Sequence, residues 1–209
     1  GGYDVEVSVL PEAAALEYLE IFKGTGLLPI SFELKAHAIA RAVIPRNDRG
    51  TRMIVSMGEI RTLIAVSSNG VVMYAKTINA GGMVISGEVG KRLNVPPEEA
   101  ERMKKKYGLS KIPAGKMFSS VLSRSLSEFK DELNRHIIDW YACKDPECEK
   151  RGKIESIILS GSGSDIPGLP DYLSANLKMP VSAANVWTNV NSFDNYIPEI
   201  NSKESLWYS

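Results

Sequence analysis

Four short groups of residues have types and spacing suited to holding a nucleotide. Leu159-Ser160-Gly161-Ser162-Gly163-Ser164-Asp165-Ile166-Pro167-Gly168-Leu169 sets small residues between an apolar run, Ile157 to Leu159, and a proline-opened helix over Pro167 to Leu177. Glycine has no Cβ and tolerates positive φ, so a ligand can lie against such a turn while main-chain N–H groups face it. Ser56-Met57-Gly58 and Ala80-Gly81-Gly82 have the same character, and Gly58 would let backbone approach a phosphate. Glu101 and Lys104 lie three apart on a helix expected over Pro97 to Tyr107. From one face they would reach ribose hydroxyls and adenine edges together, while Gly161, Ser162 and Gly163 flank the adenosine. Taken singly, each group has a plainer account. A Gly/Ser turn is common loop punctuation, and Glu101 with Lys104, Lys105 and Lys106 is an ordinary solvated helix face. Their order along one chain favours the ligand reading.

A second constellation is weaker. Cys143 and Cys148 frame a polar loop, with His136 one heptad upstream. Structural zinc wants four ligands, usually as two close pairs, so reduced thiols or a loop disulfide is preferred over a metal. No residue is assigned a catalytic or metal-ligating role.

The elements that must position these groups follow from periodicity. Val5 to Val9 alternates as a strand. A helix after Pro11 repeats Leu16, Leu19 and Phe22 before Gly24-Thr25-Gly26 stops it. A strand over Leu28 to Leu34 and an alanine-rich helix over Ala36 to Val43 complete a small α+β unit. A polar linker, Arg46 to Gly50, leads to three strands: Arg52 to Ser56, Arg61 to Ser67, and Val71 to Ile78, the last two joined by Ser68-Asn69-Gly70. Helices are expected over Gly82 to Leu93, Pro97 to Tyr107 and Gly115 to Tyr141. In the last, Phe118, Val121, Leu122, Leu126, Phe129, Leu133, Ile137 and Trp140 form one core-facing stripe. A strand over Ile154 to Leu159, the helix to Leu177 and a short edge strand at Met179-Pro180-Val181 follow. Beyond Ala184 periodicity fades into a loop-rich tail.

The 209 residues can bury a proper core, and 44% hydrophobic with 24% charged residues is ordinary for a globular protein. Lys+Arg equals Asp+Glu at 25 each, which removes any global electrostatic case for nucleic acid or an acidic membrane surface. No apolar run approaches the roughly 20 residues of a membrane span, so no direct span is expected and the chain reads as cytoplasmic.

Gly81-Gly82-Met83-Val84-Ile85-Ser86, followed by Ala100-Glu101-Arg102-Met103-Lys104-Lys105-Lys106-Tyr107-Gly108, resembles the GGxxIT…AExxKxxYG signature of actin-like ATPases of the FtsA and PilM type. Ser160 to Leu169 is similar to their adenosine motif, SGGGAxxPGL. Glu33-Leu34-Lys35-Ala36-His37-Ala38-Ile39-Ala40-Arg41-Ala42 resembles the helix EPxALARAL that ends their 1C subdomain. The resemblance runs from Tyr3 to about Asn191. It implies an α/β fold, an actin-like (ribonuclease H-like) domain with a mixed sheet flanked by helices, plus a small α+β subdomain. The implied organisation is a partial 1C-like (SHS2) unit over 3–45, an actin-like domain 2 over 50–191 with a 2B-type helical insertion at about 83–140, and an irregular tail over 192–209.

The short region between Tyr107 and Lys153, dominated by one long helix, favours the PilM branch of type IV pilus assembly over the FtsA branch of cell division. That branch implies a cytoplasmic protein held beneath the inner membrane through the cytoplasmic tail of a PilN-like partner, with self-association a further implication. It also implies ATP with magnesium, at Ser56, Gly58, Gly81, Gly82, Glu101, Lys104, Gly161, Ser162 and Gly163. Two departures qualify this. The family's second phosphate loop reads DIGxxxT, but here Ser56 opens Ser56-Met57-Gly58-Glu59-Ile60-Arg61-Thr62, and Mg²⁺ prefers anionic oxygen. Nothing before Tyr3 supplies the 1A subdomain with its first phosphate loop, and the closing helix is cut short. The expectation is a truncated actin-like protein whose nucleotide site is weak or lost and whose work is assembly rather than catalysis; an ATP-binding switch and an FtsA-like division protein are the alternatives.

Overall fold

The computed structural model describes residues 9–109, 116–144, 148 and 151–189. Residues up to Lys35 form one unit and those from Ala36 onward another.

In the first unit, helix α1 (Glu12–Phe22) starts after Pro11 and ends at Lys23, with Gly24 and Gly26 at φ +79° and +76° completing the stop. None of its residues is buried. The expected strand at Leu28 to Leu34 is absent: this stretch is irregular, and Leu28, Ile30, Phe32 and Leu34 are exposed. A strand is made by its ladder partner, and none is provided here among the described residues. The strand expected at Val5 to Val9 lies, Val9 apart, outside the described residues, as does the tail from 190.

The second unit begins with α2 (Lys35–Val43), which buries Ala36, Ile39, Ala40 and Val43 at helical spacing. Its sheet is mixed. Strands β1 (Arg52–Met57), β2 (Thr62–Ser68), β3 (Val71–Ile78), β4 (Ser156–Ser160) and β5 (Val181–Ala183) lie in the order β3-β2-β1-β4-β5. β1 and β2, and β2 and β3, are antiparallel; β4 is parallel to both β1 and β5. Asn69 (φ +55°) and Gly70 (φ +83°) form the hairpin turn between β2 and β3, the left-handed pair that the twist of adjoining strands favours.

Alternation along the strands divides the core. Met53, Val55 and Met57 of β1 with Ile157 and Leu159 of β4 face helices α3 (Gly82–Leu93), α4 (Pro97–Tyr107), α5 (Lys116–Ala142) and α6 (Leu169–Leu177). Ile54 and Ala65 face α2 on the other side. The α5 stripe is core as its spacing predicts: Leu122, Leu126 and Leu133 are wholly buried, and Trp140 donates Nε1–H to the Gly152 carbonyl at 3.0 Å. Cys143 and Cys148 are joined as a disulfide, closing a small loop after α5. His136 points elsewhere, its Nδ1 2.6 Å from the Tyr74 hydroxyl.

Candidate functional site

The three glycine turns converge at one end of the sheet, where β1 and β4 run out side by side. After β1 the chain turns through Gly58, whose N–H donates to the Arg61 carbonyl at 2.9 Å and closes the tight link into β2. The next two carbonyls face α3: Gly58 O accepts from Gly82 N–H at 2.9 Å, and Glu59 O from Met83 N–H at 2.8 Å. A helix N-terminus is a ready-made anion site because its first N–H groups lack helical partners. Here the first two are satisfied by the β1–β2 turn. Thr62 Oγ1 donates to the Ala80 carbonyl at 2.5 Å and ties the same two turns together.

The glycines are required by close approach. A Cβ on Gly163 would stand 2.6 Å from Gly58 O, one on Gly82 would stand 2.8 Å from Gly163 Cα, and one on Gly81 would overlap the Glu59 backbone. Gly161 sits at φ +85°, where its Cβ would come 2.5 Å from Met57 O. Ser162 begins a single 3₁₀ turn to Ser164 and is half-buried. Gly58, Gly81, Gly82, Gly161 and Gly163 therefore pack on protein backbone.

Lys104 joins them from α4. Only 1% of it is exposed, and Nζ donates to the Gly82 carbonyl at 2.7 Å and pairs with Glu101 Oε2 at 2.6 Å. Burial pushes the Lys104 ammonium below its ordinary pKa, with Glu101 opposing only in part. Burial alone would raise the Glu101 carboxyl; hydrogen bonds from Lys104 and Ser86 and the charges of Lys104 and Lys105 outweigh it and hold the pKa low. Ser86 closes the segment that resembles GGxxIT but is not among the candidate site residues. Its Oγ lies 2.5 Å from Glu101 Oε2 and 3.0 Å from Gly82 O, one helical turn after the glycine it supports, and that spacing together with its place in the motif is the signal in the sequence.

Ser56 stands apart. It is buried on the α2 face of β1, in parallel register with Ser160 of β4, and neither Oγ has a hydrogen-bond partner among the described residues. Ser160 opens the segment that resembles the adenosine motif but is not among the candidate site residues. Ser56 and Ser160 thus carry hydroxyls unpaired among the described residues, while the Lys104 ammonium is held internally by Glu101 and the Gly82 carbonyl.

Comparison with solved structures finds the same fold. One chain of a PilM–PilN type IV pilus biogenesis complex matches with TM-score 0.65 at 19% identity over 92% of this chain and 55% of that one. MreB5 of Spiroplasma citri bound to ADP matches with TM-score 0.66 at 20% identity over 87% and 63%. The ethanolamine utilization protein EutJ from Carboxydothermus hydrogenoformans matches with TM-score 0.59 at 20% identity over 78% and 54%. The chain thus spans less than two thirds of each. No curated protein sequence matches it. A family model described as type IV pilus assembly protein PilM matches residues 19–206, nearly the whole chain, and the chain belongs to that family.

Proposed function

We propose that this chain is an actin-fold scaffold of type IV pilus assembly, docking an inner-membrane partner from the cytoplasmic side rather than turning over ATP. The observation that supports it is the internal use of Lys104: the ammonium expected at a nucleotide is buried on Gly82 and Glu101, and the glycines beside it pack on one another. Residues 3–45 are read as a 1C-like unit, 50–191 as an actin-like domain 2 and 192–209 as a tail; α2, inside the first range, packs on the sheet that follows it. Attachment would run through the partner, a reading supported by the fold shared with a chain of the PilM–PilN complex. The test is fluorescence anisotropy of a labelled PilN-like cytoplasmic peptide with the longest natural form of the protein. Saturable binding without ATP is expected; failure to bind with or without ATP overturns the scaffold reading.

A second reading, an ATP-responsive switch, is favoured by Ser56 and Ser160, two buried hydroxyls without partners at the ends of adjacent parallel strands. They would meet the ribose or a phosphate oxygen, with Glu101 and the turn at Gly161 to Gly163 beside the adenosine. Structures of MreB5 bound to ADP and to AMPPNP share the fold. Titration calorimetry with ATP and magnesium separates the readings. Heat that Ser56→Ala with Ser160→Ala abolishes would establish the switch; an absence of heat rejects it.

A further inference from the structure

Beside the turn at Ala80-Gly81-Gly82, which contributes Ala80 to its lining, the second unit has a groove of about 250 Å³ between the C-terminal end of β3, the first half of α3 and the middle of α5. Its floor is apolar, with the buried Ile85 and Phe129, and the exposed Val84 stands beside them. Its rim is acidic, with Glu88 from α3 and Glu128 and Glu132 from α5. Glu128 and Glu132 are one helical turn apart, a like-charge spacing that destabilises a helix unless a cation relieves it. Glu132 is partly relieved by Arg135, 2.8 Å away, and lies 3.5 Å from His136 Nε2. Glu88 and Glu128 have no ion-pair partner among the described residues.

Ser125 gives an independent sign of a missing ligand. It lines the same groove, is 2% exposed, and its Oγ has no hydrogen-bond partner among the described residues. A helical serine ordinarily turns its hydroxyl back on the carbonyl one turn earlier. Leaving the hydroxyl buried and unpaired costs free energy that a donor entering the groove would recover. The groove thus combines an apolar floor, an acidic rim on which Glu88 and Glu128 lack an ion-pair partner among the described residues, and an idle acceptor.

We propose that this groove receives an arginine side chain from an extended segment of a partner protein laid along the outer edge of β3 in the described sheet. Arginine fits each part: its alkyl stem covers Val84, Ile85 and Phe129, and its planar fork of donors serves Glu88, Glu128 and Ser125 Oγ together. The strand edge points to a protein segment rather than a small amine. β3 ends the order of the described sheet, so one row of its N–H and C=O groups lacks a sheet partner there, and Ile78, its last residue, lines the groove. A segment added to that edge makes main-chain hydrogen bonds with β3 and brings alternate side chains to the groove's side. The proposal does not depend on either reading of the glycine turns.

The probe is a blocked peptide, Thr-Val-Arg-Val-Thr, added to the isotope-labelled full chain, with the amide signals of Ile78, Glu88 and Ser125 followed by NMR. These amides should move together. Replacing arginine with citrulline in the peptide, or Glu128→Gln in the protein, should each weaken binding about tenfold, as loss of a charge-assisted hydrogen bond does. Glu128 is exposed, so its variant keeps the fold. The citrulline peptide needs no variant at all. N-acetylarginine amide should bind far more weakly than the peptide. No shift at about 1 mM peptide overturns the proposal. So does equal binding of the citrulline peptide, which removes the charge recognition, or equal binding of the arginine amide, which makes the groove a small-cation site.

Discussion

At the scale of single residues, the pair Glu101–Lys104 shows how a site motif becomes a structural tie. Both groups lie on one face of α4, as the three-residue spacing predicts, but Nζ ends on the Gly82 carbonyl rather than in open cleft. Lys104→Met removes the buried cation from the Glu101 carboxylate and one of the two donors to the Gly82 carbonyl, and should lower unfolding free energy by about 2 kcal/mol, less than the usual cost of breaking a buried pair from one side because Ser86 and Lys105 still meet the carboxylate. Glu101→Gln with Lys104→Met should cost clearly less, because no uncompensated charge remains; urea denaturation of the three proteins measures this. The pH dependence carries a sign. The Glu101 pKa is held below its ordinary 4.5, so its contribution is present above that value and is lost as pH falls through the lower folded value. The Lys104 pKa is depressed from 10.5, so the folded state binds its proton less well and stability rises as pH climbs toward that value. Glu101→Gln should flatten the acid limb of a urea-midpoint profile; an unchanged limb would show that other carboxylates set it. The spacing made the pair legible. The internal target of Lys104 was not, since only the fold decides which carbonyl an ammonium reaches.

At the scale of elements, helices were legible and one strand was not. α3 and α4 begin and end as the glycine, proline and apolar signals place them, and the α5 stripe lies in the core. A helix contains its own hydrogen bonds, so local sequence can specify it; the run Leu28 to Leu34 has strand composition but no ladder partner among the described residues, and stays irregular. The turns give the sharpest contrast between glycines of equal appearance. Gly161 combines φ +85° with Met57 O at 2.5 Å from a would-be Cβ, whereas Gly87, inside α3, has nothing within 4 Å of its own. Gly161→Ala should therefore destabilise by about 2 kcal/mol or more, through strain and displacement of the β1 end. Gly87→Ala should stabilise by about 0.5–1 kcal/mol, because helix propensity is gained without a clash. Melting curves of the two single variants check both signs; equal effects would mean that the Gly161 turn relaxes freely.

At the scale of the whole molecule, stability belongs to the second unit. Both apolar clusters, the one under α3 to α6 and the one under α2, consist of residues from Ala36 onward. The first unit contributes no buried side chain from α1 and exposes Leu16, Tyr18, Leu19, Ile21, Leu28 and Ile30. Removing residues 1–34 should thus leave the core of the remainder intact. Trp140, 1% exposed on α5 with the Arg151 guanidinium 4.5 Å from its ring, supplies a fluorescence signal for that core. The shortened chain should show the parent's urea midpoint within about 0.3 M and a similar slope, since the slope follows the surface exposed by the cooperative unit. It should also be the more soluble protein at neutral pH, because the deletion removes a concentration of exposed apolar side chains from a chain whose net charge is zero. A midpoint falling by about 1 M or more would mean that residues before Lys35 contribute to the stability of the sheet domain.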